Sequence, residues 1–416
     1  MNAIETRFLE PLDVLFLRGN KLFGDPGSFG ESLVPPWPSV AAGALRSRML
    51  ADEGVDLAAF ARGDVSHPAL GTPQKPGSFT VTAFHLARRR DDGSVEVLIP
   101  PPADLVVSED ANGTLSVRTL TPTPSPGGLL SSAPFPRLPV LAERERSKPA
   151  GGYWLAESGW RKYLAGETPG AADLVKSSSL WALDHRVGVG LEAATRRAAD
   201  ARLFSAQAVA MVKQGNRIGT DKELKKPILA DYDVGFLAAV SGAIPPQDST
   251  VRLGGDGRAA AIRPATANLP EMDFDAIARA RRCRLVLATP GIFGAPHPSG
   301  EGARERAGWL PNGFSLLPPG EGPGVRETRF DLHGVKGRLV CAAVPRAEVV
   351  SGWDLANRKP KPALRAAPTG SVYWLEDLEA TPEALRKLVA QGLWSEPCED
   401  SIRRAEGFNR IHLAAC

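Results

Sequence analysis

The chain has 416 residues, of which 43% are hydrophobic and 23% charged, and its formal net charge is +3. This hydrophobic fraction excludes a chain that is disordered throughout, and the length predicts two domains. The small net charge excludes a uniformly basic protein, so any contact with nucleic acid would depend on local basic patches.

The N-terminal part combines strand and helix signals. Strand patterns occur at residues 4–17, 78–89 and 94–107, and three prolines stop the last of them. The first is interrupted at Pro11, which suits an edge strand or a bulge. A Gly/Pro-rich loop follows, and a helix is predicted from Pro38. Residues 117–152 are expected to be mostly loop.

The remaining elements follow the same logic. Strands are predicted for RVGVGLE, RLFSAQAVAMV, VGFLAAV, RCRLVLATPGIF, GRLVCAAVPRAEVV and GSVYWLE. The segment TPEALRKLVAQGLW predicts a helix capped by Thr381, and GFNRIHLAA a closing strand. The intervening LEAATRRAADARL has helical propensity. These elements predict an α+β fold, compatible with two ferredoxin-like sandwiches.

Neither export nor a membrane span is expected. The first residues, MNAIETRFLEPLD, lack the apolar core of a signal peptide. The longest apolar stretches are shorter than the about 20 residues of a transmembrane helix. We therefore expect a cytoplasmic protein that makes no contact with a membrane.

No motif of a common enzyme class, metal site or cofactor site is present. The four cysteines form no C-x-x-C pair, and the six histidines form no H-E-x-x-H or H-x-H pattern. Neither a nucleophile elbow nor a Walker loop occurs. We expect no metal and no cofactor, and this favours a binding protein.

The segment RLGGDGRAAAIR, residues 252–263, raises two interpretations. Its glycines can supply positive φ in a turn that leads into a strand. Alternatively, consecutive amides of the turn cradle a phosphate, with guanidiniums beside them. The spacing does not fit a dinucleotide-binding loop. The candidate residues of this cluster are Arg252, Gly254, Gly255, Gly257 and Arg258.

Other basic residues lie in or near glycine-bearing turns. Each could be ordinary solvated surface, but together they suit a protein that grips a nucleic-acid backbone. The further RNA-binding candidates are Arg18, Lys21, Arg46, Arg186, Arg196, Arg197, Lys336 and Arg338. Three aromatic residues of the first loop, Phe23, Phe29 and Trp37, are candidates for base stacking, core packing or partner contact.

Five segments in this order resemble the Cmr3-type family, a subunit of the type III-B CRISPR–Cas (Cmr) effector complex within the RAMP superfamily. They are PLDVLFLRGNKLF, PPWPSVAAGALRS, HRVGVGLEAATRRAADARLFS, RLGGDGR and PTGSVYW. The resemblance implies two ferredoxin-like RAMP domains in tandem with long inserted loops, at residues 1–268, with an insertion around 100–180, and at 269–416. It also implies strand, turn and strand around Arg196, against the helical propensity.

The resemblance implies a function in antiviral defence as well. A subunit of this family is a non-catalytic RNA-binding protein that helps hold the 5′ tag of the crRNA. It bridges the large polymerase-like Cmr subunit to the first backbone subunit. The closing segment GFNRIHLA keeps a single glycine of a glycine-rich loop, so a phosphate role there is not expected.

Two alternative functions are also considered. A RAMP endoribonuclease that processes guide-RNA precursors would need a general base near a 2′-hydroxyl, and His185 beside Arg186 is the best candidate. A scaffold without RNA contact of its own would bridge partners only.

Overall fold

The structure is a computed structural model that describes most of the chain. The described residues are 3–19, 29–110, 112–125, 135–143, 148–221, 225–267, 269–293, 314–316, 328–354 and 359–416. They form two compact units. The first unit comprises Met1–Val97, Lys176–Ala267 and Val349–Leu364, and the second comprises Leu98–Val175, Asn268–Glu348 and Arg365–Cys416.

The helices are short, and most of the regular structure is strand. The helices are α1 Pro38–Asp52, α2 Leu57–Arg62, α3 Glu157–Leu164, α4 Phe274–Ala280, α5 Pro382–Gln391 and α6 Ser401–Glu406. Single 3₁₀ turns occur at Ala171–Asp173 and Ser177–Ser179. No helix in the described ranges is both long and apolar enough to cross a membrane.

The strands are numbered in chain order. Those before residue 160 are β1 Ile4–Pro11, β2 Phe29–Gly30, β3 Thr80–Arg90, β4 Val95–Leu98, β5 Leu105–Glu109, β6 Leu115–Thr119, β7 Thr121–Pro124, β8 Arg137–Val140 and β9 Tyr153–Leu155. The next are β10 Leu174–Lys176, β11 Trp181–Leu191, β12 Ala198–Met211, β13 Arg217–Thr220, β14 Pro227–Leu229, β15 Tyr232–Ser241, β16 Ser249–Arg252 and β17 Ala259–Pro264. The last are β18 Cys283–Leu287, β19 Gly291–Ile292, β20 Phe314–Leu316, β21 Thr328–Leu332, β22 Val335–Ala343, β23 Glu348–Val350, β24 Trp353–Asp354, β25 Lys359–Pro360, β26 Leu364–Ala367, β27 Val372–Glu379 and β28 Ile411–Ala414.

The first unit is built on a six-stranded sheet in the order β16-β17-β1-β15-β3-β4. Strand β1 pairs antiparallel with both β15 and β17. Helix α1 lies against β3 and β16 and starts at Pro38 as predicted, because proline fixes φ at a position whose N–H needs no partner. Its Ala41 and Leu45 are fully buried, as are Phe8 and Phe236 of the sheet.

A long antiparallel ribbon of β11 and β12 extends from this unit. The pairing runs from Trp181 opposite Met211 to Leu191 opposite Ala198, with one irregularity near the tip. At its base, Leu15 bridges to Val209. The strand–turn–strand structure is confirmed, and the helical propensity of LEAATRRAADARL is overridden by cross-strand pairing.

The second unit contains a six-stranded sheet in the order β20-β21-β22-β27-β18-β28. One face carries the hydrophobic core, which includes Leu285, Tyr373 and Leu375 of the sheet together with Leu385 and Leu388 of α5. The predicted helix is confirmed, since the Thr381 hydroxyl accepts a hydrogen bond from the Ala384 amide at 3.2 Å. The predicted closing strand is also confirmed as β28, which pairs with β18.

The structure adds detail to two expectations about the middle of the chain. Within residues 117–152, expected to be mostly loop, the described residues include the end of β6, which pairs with β5, and the short paired strands β7 and β8. The strand expected in residues 94–107 is β4, which ends before the three prolines at 100–102 as predicted, and a second strand, β5, follows them.

Both units mix helices with largely antiparallel sheets, which confirms the α+β class. The division into domains at residue 268 stays a prediction. The compact units place residues 98–175, which contain most of the expected insertion, with the second unit.

Candidate nucleic-acid interface

The glycine cluster forms the tight connection between β16 and β17. The backbone takes positive φ at Gly254 (80°), Asp256 (56°) and Gly257 (66°). The Leu253 amide donates to the Arg258 carbonyl at 2.8 Å, which closes the turn. Left-handed backbone favours glycine because a Cβ adds steric strain there. The interpretation that these glycines supply positive φ in a turn leading into a strand is therefore confirmed.

The turn also packs against residues 15–18. The Gly255 amide donates to the Phe16 carbonyl at 2.8 Å. A Cβ at Gly254 would lie 2.7 Å from the same oxygen, closer than such atoms can approach. Gly254 thus allows close contact between two backbone segments, in addition to its positive φ.

Part of the turn remains open to solvent. Gly254, Asp256 and Gly257 are exposed. Within the described ranges, the amides of Asp256 and Gly257 donate no hydrogen bond to the protein. Successive amides of a turn can form a concavity that attracts anions, and these two amides are the candidates for such a contact.

Two guanidiniums flank the turn, each beside a carboxylate. Arg18 Nη2 lies 2.7 Å from Asp256 Oδ1, and Arg258 Nη1 lies 2.7 Å from Asp13 Oδ2. The Arg258 guanidinium lies over the Phe16 ring, with Cζ 5.3 Å from the ring centroid, which is within the range of a cation–π interaction. These residues are more than 230 positions apart in sequence, and the pairing of β1 with β17 brings them together.

The ribbon contributes a third guanidinium. Arg186 Cζ lies 6.0 Å from the centroid of Phe16, and its Nη2 lies 2.8 Å from Asp184 Oδ2. Arg252 is exposed at the end of β16 and has no ion pair among the described residues. We call Arg18, Arg186, Arg252, Arg258 and the turn 254–257 the basic turn cluster.

The tip of the ribbon lies away from this cluster. Arg196 and Arg197 are exposed in the connection between β11 and β12, and Leu191 is five residues beyond Arg186. At about 3.3 Å per residue, the tip is roughly 17 Å from Arg186. The structure therefore does not bring the two tip arginines to the glycine turn.

The ribbon also exposes apolar side chains that sequence analysis did not single out. Val187, Leu191 and Leu203 are 71%, 59% and 60% exposed. A run of exposed apolar residues on one element is typical of a contact surface. The signal in the sequence was the alternation of glycine with aliphatic residues in RVGVGLE.

Three other candidates lie elsewhere in the structure. Arg46, on α1, stacks its guanidinium on the Phe79 ring with 4.9 Å to the centroid. Lys336 and Arg338 are on β22 of the second unit, where they pair with Asp331 at 3.8 Å and Asp377 at 3.0 Å. Their roles in RNA binding stay predictions.

The aromatic candidates of the first loop divide into two groups. Trp37 is buried just before α1, which favours core packing over base stacking. Lys21 and Phe23, as well as the side chain of Phe29, lie outside the described part of the chain.

The candidate general base, His185, is exposed on β11 opposite Gln207. No group of three or more histidine, cysteine, aspartate or glutamate side chains with the arrangement of a metal site is found in the residues that the structure covers. The role of His185 stays a prediction.

Comparison with known proteins identifies the family. The family model of CRISPR-associated protein (Cas_Cmr3) matches residues 7–413. The chain belongs to the Cmr3 family. Because the match extends through both compact units, both are part of the Cmr3 chain, a subunit of the type III-B Cmr complex.

Solved structures include similar chains at low identity. A chain of the type III-B Cmr-beta complex bound to cognate target RNA and AMPPnP is 12% identical, with 98% of this chain and 95% of that chain covered and a TM-score of 0.45. A chain of the same complex bound to cognate target RNA is also 12% identical, with 98% and 96% covered and a TM-score of 0.44. No match was found among curated proteins.

Proposed function

We propose that this Cmr3 chain is a non-catalytic RNA-binding subunit that helps hold the 5′ tag of the crRNA, and that the basic turn cluster contacts the RNA backbone. The observation that carries this proposal is the solvent-exposed glycine turn with guanidiniums on both sides. Free amides and guanidiniums are the donors that phosphate oxygens accept from.

The charge balance of the basic turn cluster suits a contact with the RNA backbone that forms when the complex assembles. Arg18, Arg186 and Arg258 each lie beside a carboxylate, so the free protein keeps little net charge at this site. Exposed ion pairs of this kind contribute only about 0–1 kcal/mol. An RNA phosphate can therefore replace the carboxylates at low cost.

We further propose that both sheets are ferredoxin-like domains of the RAMP type. Taken in chain order as first to fourth, β1, β3, β15 and β17 lie in the spatial order fourth, first, third, second. Strands β18, β22, β27 and β28 of the second unit lie in the same order. This is the strand order of the ferredoxin-like fold.

The bridging role is proposed from the ribbon. Its exposed aliphatic side chains suit contact with a protein partner. We propose that such surfaces bind the large polymerase-like subunit and the first backbone subunit, while the basic turn cluster remains available to the crRNA.

The proposal is tested by reconstituting the complex with Arg258→Glu in this chain and sequencing the co-purified RNA. Reduced retention of crRNA with intact 5′ tags is expected. Arg62→Glu is the matched control, since Arg62 is an exposed arginine paired with Asp64 at 2.8 Å elsewhere in the first unit. Equal retention in both variants would favour a scaffold without RNA contact.

The absence of RNA cleavage is a separate part of the proposal. Incubation of the purified chain with repeat RNA is expected to leave the RNA intact. Cleavage by the wild-type chain that is lost in His185→Ala would instead support the endoribonuclease that processes guide precursors.

A further inference from the structure

The second unit contains a cavity of about 300 Å³ that the proposed RNA interface does not use. Its lining includes the hydroxyl residues Thr119 and Thr121, the arginines Arg137 and Arg282, and the sheet residues Trp374 and Glu376. All of these residues belong to the second compact unit. We call it the second-unit cavity.

The position of the cavity follows from the alternation of side chains in the sheet. Cys283 and Leu285 of β18 pack in the hydrophobic core, as do Tyr373 and Leu375 of β27. Since successive side chains point to opposite faces of a strand, Trp374 lies on the face away from that core. The segment that contains Thr119 and Thr121 covers this face.

Most charges around the cavity already have partners. Arg284, which also lines it, donates to Asp104 Oδ2 at 3.0 Å and to the Tyr163 carbonyl at 2.9 Å. Arg137 Nη1 lies 2.6 Å from Glu376 Oε1. The single acidic side chain of the lining is therefore neutralised.

Arg282 differs from these residues. It lines the cavity and is exposed, and within the described parts of the chain it forms no hydrogen bond or ion pair; its positive charge acts on Cys416, which also lines the cavity. Its guanidinium thus presents unused hydrogen-bond donors in the lining of a partly enclosed cavity whose walls are both polar and apolar. A planar guanidinium with free donors is suited to bidentate contact with phosphate.

We propose that the second-unit cavity binds a phosphate-bearing ligand of nucleotide size, with Arg282 as its main anion contact. The volume is at the lower end of the range of about 300–1,000 Å³ for small-molecule pockets. The hydroxyls of Thr119 and Thr121 supply further polar groups, and Trp374 supplies an aromatic edge. A free nucleotide and the 5′ phosphate of an RNA share this chemistry.

This inference does not depend on the proposed function. The second-unit cavity uses none of the residues of the basic turn cluster, so Arg258→Glu and Arg282→Gln change separate sites. Loss of crRNA retention through Arg258→Glu therefore tests only the first site.

The test is calorimetric titration of the full chain with AMP, inorganic phosphate and adenosine. A second set of titrations uses a short RNA with either a 5′ phosphate or a 5′ hydroxyl. Arg282→Gln is the variant, and Arg279→Gln is the matched control, because Arg279 is also exposed but does not line the cavity.

We expect the phosphate-bearing ligands to bind more tightly than adenosine, and Arg282→Gln to weaken them about tenfold or more, as for loss of a charge-assisted contact. Arg279→Gln should have no effect. Binding of AMP would identify a free nucleotide as the source, and binding of the 5′-phosphorylated RNA alone would identify an RNA end. Equal binding by wild type and Arg282→Gln, or no binding of any phosphate-bearing probe, would overturn the proposal.

Discussion

The carboxylate of Asp256 gives the sharpest test of the proposed RNA interface. It lies 2.7 Å from Arg18 at the centre of the exposed turn, where, in the proposed interface, it would compete with an RNA phosphate for the guanidinium. The substitution Asp256→Asn removes the charge but keeps the shape of the side chain. Asn also tolerates the φ of 56° at this position, so the turn should be preserved.

The expected effect is a gain in RNA affinity. Two unit charges about 4 Å apart in water interact by about 1 kcal/mol. Both partners here are more than a third exposed, so screening limits the value to about 0.2–1 kcal/mol. Removal of the carboxylate should therefore tighten binding by about 1.4-fold to fivefold at low salt, and the gain should shrink at high salt.

The assay is fluorescence anisotropy with labelled tag RNA, on the full chain and on the reconstituted complex. Asp64→Asn is the matched control, because this exposed aspartate pairs with Arg62 at 2.8 Å but lies outside the basic turn cluster. Unchanged or weaker affinity of Asp256→Asn at low salt, with the same melting temperature as wild type, would refute competition between carboxylate and phosphate.

Three further predictions concern stability. Gly254→Ala should lower the free energy of unfolding by about 1–3 kcal/mol, because its Cβ would meet a backbone oxygen at 2.7 Å. Gly257→Ala, with no atom within 4 Å of its Cβ, should cost less in the same urea denaturation, and equal losses would contradict the packing argument. Asp104→Ala should destabilise the second unit by about 3–5 kcal/mol, since it leaves the buried Arg284 without its carboxylate. Thermal denaturation measures the loss, and a loss smaller than that caused by breaking an exposed ion pair would contradict this prediction. Burial lowers the pKa of His85 from 6.5 to about 4. Between these pH values the unfolded chain binds a proton that the folded chain does not, so the free energy of unfolding should fall as the pH drops through this range, by up to about 3 kcal/mol. A flat profile of unfolding free energy against pH in the wild type, or the same slope in His85→Asn, would contradict this prediction.

Local signals predicted several elements of this fold correctly. Helix α1 begins at Pro38 and helix α5 follows the cap Thr381, because caps and proline act through the backbone of the nearest few residues. The turn at residues 254–257 was likewise visible, since positive φ is a property of single residues.

Local signals failed where cross-strand pairing decides the structure. The segment around Arg196 has helical propensity, yet it connects two strands whose cross-strand pairs outweigh that propensity. Residues 121–124 and 137–140 are rich in proline, yet they pair as strands β7 and β8. Such pairing depends on the partner strand, which the propensity of a single segment does not describe.

The candidate RNA interface shows the same limit. Each arginine and glycine of the basic turn cluster could be named from the order of residues alone, as could the family. The residues that come into contact could not be predicted in this way, because Arg18 and Asp256 are 238 positions apart and become neighbours through the antiparallel pairing of β1 with β17. The carboxylates that neutralise these arginines, and the distance of the ribbon tip from the turn, follow from sheet register, which is a property of the packed chain and not of any local stretch.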